Sequence, residues 1–378
     1  VAHKHPFALA ILGILTATLA AEGTLRLTEM MPFAWKILPV AEVSLYGPDI
    51  ATGYAQRPNI SGTWITENRA RVETNSLGLR DKSLEITKPA EHQRVALVGD
   101  SFAEALQVNL EQTYQTIVEH TLSSATRTLE VVNLGLAGAT PAIQIVRARS
   151  RGLSLQPDLF LFMTNFPELT AESEDDTHFP AYVVQADGYA VLRYGFRDSR
   201  VFKLRTSAMG QAGYWILDHS KLATLINNRK NQGDTGTLNY ILPPPRSCDR
   251  QRDSAIALLR DSVPANTAAR LDAFMRDLNQ LSHARSETPV ILSLVNLPGC
   301  NEGDRKNLVS LMKKFEGKNI IIIDFESVLE KTLAHYPGLK EKDLYGFGIR
   351  QGNGHLNETG HKVYAAAVAD ILRPYLVK

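Results

Sequence analysis

Val95-Ala96-Leu97-Val98-Gly99-Asp100-Ser101-Phe102 decides how the chain folds. Four consecutive apolar residues read as a strand buried on both faces. Gly-Asp-Ser directly behind them reads as a sharp strand-to-helix turn. A serine on such a turn stands exposed at the carboxyl edge of a sheet, where a base can reach its hydroxyl, so Ser101 is a candidate nucleophile. Taken alone, the tripeptide reads first as an ordinary tight turn with Ser101 capping the helix.

Working outward, residues 111–126 read as a helix, 129–134 as a strand, 141–152 as a helix and 159–163 as a strand. After an interruption come a helix at 253–286, strands at 290–295 and 320–324, and a final helix at 358–375. Apolar strands alternating with helical segments predict a three-layer α/β/α sandwich around a central, mainly parallel sheet. The interruption, about 168–245, carries an acidic run at 172–176, hairpin signals at Ala186-Asp187-Gly188-Tyr189, a helical stretch and a stop at Pro243-Pro244-Pro245. It reads as an insertion over the carboxyl edge of the sheet. Residues 29–93 are expected to form short strands and loops beside the sheet, giving three parts: 1–28, 29–93 and 94–378.

The chain has 378 residues, 44% hydrophobic and 21% charged, which is globular composition with ample length for a core. Forty-one Lys+Arg against forty Asp+Glu leave a net charge of +1, with no global field to attract nucleic acid. Lys4 precedes an uncharged stretch from Pro6 to Ala21. Extended to Leu25 it gives about 30 Å of helix with Glu22 near the far interface, so it is expected to be a membrane anchor that leaves the rest extracytoplasmic. The small residues of Thr18-Leu19-Ala20 keep a cleaved signal segment open, and a buried core helix is the third reading. Cys248 and Cys300 suit an oxidising compartment; bridged, they close a loop of about 53 residues, worth about 4 kcal/mol, and otherwise they are two thiols.

Three further segments belong with Ser101: Asn133-Leu134-Gly135-Leu136-Ala137-Gly138, Met163-Thr164-Asn165 and Asn353-Gly354-His355-Leu356-Asn357. The first two end predicted strands, at the sheet edge where open α/β folds gather ligands. His355 is the natural general base for Ser101. The backbone N–H groups of Ser101 and Gly138, with the Asn165 amide, are candidates for an oxyanion hole. Asp100 is expected to fix the turn through backbone hydrogen bonds, and His361 to lie on the surface of the last helix.

Taken together, Ser101, Gly138, Asn165 and His355 resemble, in order and in strand context, the four residues that name the SGNH (GDSL-type) hydrolases. The resemblance spans 94–378 without the insertion, and implies a flavodoxin-like layering and ester hydrolysis through an acyl-enzyme, with no metal or organic cofactor. Asn75-Ser76-Leu77-Gly78-Leu79-Arg80 and the apolar N-terminal segment are similar to membrane-anchored members related to polysaccharide O-acetyl esterases and acetyltransferases. The implied partners are an acylated small molecule or polysaccharide, and the membrane. The family usually places an Asp two or three residues before the histidine, where this chain has Asn353 and Gly352. Three readings follow: Asn353 orients His355; a carboxylate from elsewhere, such as Asp343 or Glu358, replaces it; or the protein is a catalytically weak polysaccharide-binding or assembly protein. An O-acyltransferase using the same residues is the alternative enzyme.

Overall fold

In the computed structural model, residues 6–29, 44–64, 67–124, 127–165, 169, 176–231, 265–285, 287–295 and 302–376 are described. Cys248, Cys300, Pro243-Pro244-Pro245 and most of the acidic run lie outside them.

Helix α1 (Pro6–Glu29) opens the chain and is followed by two antiparallel hairpins, β1 (Tyr46–Asp49) with β2 (Gly53–Gln56) and β3 (Ser61–Trp64) with β4 (Ala70–Glu73). The layered part begins with β5 (His92–Gly99), α2 (Ser101–Glu104), α3 (Tyr114–Leu122), β6 (Thr128–Asn133), α4 (Pro141–Arg147) and β7 (Leu159–Asn165). The insertion contains the hairpin β8 (Ala181–Val184) and β9 (Ala190–Arg193), then α5 (Arg200–Thr206), α6 (Ala208–His219) and α7 (Lys221–Asn231). The layered part resumes with α8 (Ala265–His283), β10 (Val290–Val295), α9 (Glu302–Met312), β11 (Ile320–Asp324), α10 (Phe325–Leu333) and α11 (Glu358–Leu372).

The central sheet has the order β11-β10-β7-β5-β6 with every pairing parallel. Both faces are covered, which is why its strands are continuous apolar runs. Ala96 and Val98 of β5 point into a core shared with α4 and α8, around Phe160, Phe162 and Phe274. Val95 and Leu97, one residue out of step, point into a second core with α3, α10 and α11 around Tyr114, Phe325 and Tyr364. The strand order reverses at β5: the chain goes from β5 to β6 on one side, then crosses to β7 on the other. The carboxyl ends of β5 and β7 therefore flank a crevice, the usual ligand position in such sheets.

Two expectations are corrected. The helix expected at 111–126 is a short 3-10 turn followed by α3, because the Thr113 hydroxyl accepts from Thr116 N and starts a new helix there. His361 is buried on α11, 1% exposed, with Nδ1 accepting from Tyr114 N at 3.2 Å and its ring stacked on Tyr114. Burial, with the positive charges of Arg80 and His355, pushes its pKa down to about 3, so it is a neutral core residue.

Phe162, fully buried among Phe160 and Phe274, carries a large share of the first core. Phe162→Ala is expected to cost about 3–5 kcal/mol in urea unfolding; a loss below about 1 kcal/mol would contradict this packing.

Candidate active site

Ser101 is the first residue of α2. Asp100 caps that helix through Oδ1, which accepts from Phe102 N at 2.9 Å, while its Oδ2 accepts from Asn165 Nδ2. One carboxylate thus shapes the serine turn and fixes the amide at the end of β7. The Asn165 amide has a second N–H beyond the one given to Asp100. Asn165 is 3% exposed and is the last residue of β7.

The loop after β6 is held against the same turn. Asn133 Nδ2 donates to Ala103 O at 2.8 Å and to Gln115 Oε1 at 2.9 Å, and its Oδ1 accepts from Gly135 N at 2.8 Å. Glu104, wholly buried, accepts from Ala137 N at 2.6 Å, from Gln56 Nε2 at 2.7 Å and from Tyr46 Oη at 2.8 and 2.9 Å. Burial raises the pKa of Glu104 despite these donors. Tyr54 Oη donates to Ala137 O at 2.5 Å, and Gly138 follows with φ +73, a conformation that glycine adopts without strain. Both tyrosines and Gln56 come from the β1–β2 region, so the N-terminal extension braces the loop carrying Gly138.

Asn75-Ser76-Leu77-Gly78-Leu79-Arg80 braces the other end of α2. Asn75 Oδ1 accepts from Leu77 N and Leu79 N at 3.0 and 3.1 Å, closing a turn that delivers Arg80 into the interior. The Arg80 guanidinium, 2% exposed, donates to Glu104 O at 3.0 Å and to Val108 O.

His355 lies in a loop fastened by Gly346 N to His355 O at 2.8 Å, and by Asn357 Nδ2 to Asp343 O at 2.9 Å. Its Nε2 is 2.8 Å from Ser101 Oγ and its Nδ1 is 2.7 Å from Glu67 Oε1, while its backbone N–H donates to Glu67 Oε2 at 2.9 Å. A carboxylate only accepts, so Nδ1 carries the proton and Nε2 is free to accept from the serine hydroxyl. Phe102 packs against the imidazole with ring centroids 5.2 Å apart.

The position expected for Asn353 beside Nδ1 therefore belongs to Glu67, from the turn between β3 and β4. The physical reason is the backbone around residue 354. Gly354 has φ +93, and a Cβ there would stand 2.6 Å from Glu67 Oε2, so its bare Cα admits a carboxylate from the far side of the loop. Asn353 N instead donates to Arg350 O in a turn. Asp343 caps another turn by accepting from Lys340 N at 2.9 Å, and Glu358 heads α11. Glu67 itself has φ +68, an uncommon conformation for a side-chain-bearing residue, held by its two bonds to His355.

Burial opposes ionisation of Glu67, but the hydrogen bonds and charge of His355, with the charge of Arg350, hold its pKa below the ordinary carboxylate value. Burial likewise opposes protonation of His355, yet the Glu67 hydrogen bond and charge, aided by Asp100 and Glu104, raise its pKa above 6.5. Such a histidine is a strengthened base.

No protein-family profile matches the chain, and no curated protein is similar to it in sequence. Among solved structures it is similar to TesA, at 12% identity and a TM-score of 0.38, over 75% of this chain and 100% of that one. It is also similar to a lipase/acylhydrolase from Enterococcus faecalis, at 14% identity and a TM-score of 0.36, over 75% of this chain and 97% of that one. A third is a catalytic variant of Axe2, an acetylxylan esterase from Geobacillus stearothermophilus, at 14% identity and a TM-score of 0.38, over 77% of this chain and 98% of that one.

Because only neutral His355 accepts a proton, turnover is expected to appear as pH rises through a value above 6.5. Glu67→Gln removes the charge that favours the imidazolium. It is expected to move that acid limb to lower pH and to cut kcat/KM by about 10²–10⁴-fold. Asn353→Ala is expected to leave the limb where it is; the reverse pattern in pH–rate profiles would return the role to Asn353.

Proposed function

We propose that the protein is a serine ester hydrolase working through an acyl-enzyme. One observation carries this reading: the unbroken line of hydrogen bonds from Ser101 Oγ through the His355 imidazole to Glu67. In the proposed reaction His355 Nε2 takes the hydroxyl proton as Ser101 Oγ attacks the acyl carbon. Glu67 stabilises the imidazolium, and His355 then protonates the departing alcohol. The N–H groups of Ser101 and Gly138 and the second N–H of Asn165 would receive the oxyanion. Water repeats the cycle in reverse and frees the acid.

The substrate proposed is an O-acetylated carbohydrate. It rests on the resemblance of Asn75-Ser76-Leu77-Gly78-Leu79-Arg80 to the polysaccharide-modifying members named above. His355, whose side chain is 25% exposed, and the half-buried Phe102, beyond the carboxyl edge of the sheet, suit access by a bulky alcohol. A carboxylate on His355 Nδ1 weighs against a purely binding role, which the absence of an acid would have favoured. The protein is proposed to be anchored by α1, whose stretch Phe7–Thr28 is long and apolar enough to cross a membrane, with the catalytic part extracytoplasmic.

Two assays test the proposal. Ser101→Ala is expected to abolish both hydrolysis of an aryl acetate and covalent labelling by a serine-directed phosphonate; persistence of either removes the nucleophile. Acetylated xylooligosaccharide offered with and without a free oligosaccharide acceptor is expected to release acetate in both cases. Acetate release far below acceptor-dependent transfer would make the enzyme an acyltransferase.

A further inference from the structure

Among the described residues, the insertion carries three consecutive helices with large apolar side chains exposed on them. No residue of α6 is buried, although its sequence is Ala-Met-Gly-Gln-Ala-Gly-Tyr-Trp-Ile-Leu-Asp-His. Met209 is 72% and Trp215 62% exposed, and Ile216 is exposed with them. Val201 and Leu204 on α5 and Ile226 on α7 are exposed as well. Exposed single apolar residues are ordinary, whereas a run of this kind over three packed helices calls for a cover.

The position of α1 identifies the cover. Glu22 of α1 accepts from Ser220 Oγ at 3.0 Å, Lys221 N at 3.0 Å and Leu222 N at 2.9 Å, and so caps the start of α7. Arg26 donates to His219 O at 2.5 Å at the end of α6. The α6–α7 junction is thereby fastened to α1 at the level of Glu22. From Pro6 to Ala21 the uncharged part of α1 has about 24 Å of rise, short of the roughly 30 Å hydrocarbon core. If α1 spans the bilayer, Glu22 lies at or just inside the interface, and the hydrogen bonds to its carboxylate lower the cost of placing it there. Whatever is tied to Glu22 lies at that depth as well.

We propose that α5–α7 form a second membrane contact, a platform lying in the headgroup and upper acyl region beside the point where α1 emerges. The reading rests on α1 being an anchor. Trp215 is the type of side chain that settles at that boundary, and the exposed Arg200 and Arg205 on α5 complement anionic headgroups. Residues of the N-terminal extension are tied to the same platform: Arg57 forms a two-point ion pair with Asp218 and lies over the Tyr214 ring, 5.4 Å from its centroid. A platform on the membrane would therefore hold the catalytic part at one height and orientation above it.

The test uses the full chain in vesicles of equal parts phosphatidylethanolamine and phosphatidylglycerol. Of the three tryptophans, Trp35→Phe and Trp64→Phe leave Trp215 as the sole emitter. The platform predicts blue-shifted Trp215 emission that is quenched by lipids brominated in the upper acyl chain. It also predicts loss of that quenching in Ile216→Glu, with aryl acetate turnover in detergent unchanged. Retention of the chain in vesicles after carbonate washing, with water-like unquenched emission, overturns the platform and leaves the anchor standing. Loss of the chain from washed vesicles overturns both.

Discussion

The contact between Glu67 and His355 is the constraint around which the site is arranged. It joins residues 288 positions apart, with one carboxylate oxygen on the imidazole Nδ1 and the other on the backbone N–H of the same residue. The first bond sets the tautomer and raises the basicity of the ring; the second fixes where the ring's backbone sits. Both require the N-terminal extension to be folded against the layered part, because Glu67 lies in the turn between β3 and β4. The extension therefore supplies part of the candidate site, and its removal would leave the His355 imidazole without its carboxylate partner.

The same dependence is repeated beneath the serine. Glu104 gathers Tyr46, Gln56 and Ala137 N around one buried carboxylate. Arg147 donates to Leu134 O at 2.6 Å and to Gln56 Oε1, completing a polar layer under the loop after β6. Buried charges and amides are tolerated where they are hydrogen-bonded, and such a network holds the groups it joins in one arrangement. A loop so held can keep Gly138 near the serine turn without reorganising when a substrate arrives.

Much of the layering was legible in the sequence because it depends on local signals. Val290–Val295 and Ile320–Asp324 are strands over the residues expected, since an unbroken apolar run admits little else once flanked by helices. The Ala186-Asp187-Gly188-Tyr189 hairpin was legible from its turn residues. Departures occur where a distant contact outweighs the local pattern. His361 was read as a surface residue because a histidine on a final helix usually is, yet Tyr114 covers it from 247 positions away. Glu67 carries no motif at all in Thr66-Glu67-Asn68-Arg69. The sequence signal was indirect: an asparagine where an acid was expected left a carboxylate from elsewhere as one of three readings, and the candidates for it were Asp343 and Glu358. Which carboxylate depended on the β3–β4 turn and on the left-handed backbone at Glu67 and Gly354, which composition and periodicity do not encode.

The central claim, that Glu67 holds His355 as a strengthened base toward Ser101, is tested most directly by imidazole nitrogen chemical shifts. These are followed across pH in labelled protein, with His355 assigned by its loss in His355→Asn. The account predicts a proton on Nδ1 in the neutral ring, titration above 6.5, and a fall in that pKa when Glu67 becomes Ala. Titration of His355 at or below 6.5, unmoved by Glu67→Ala, would contradict it.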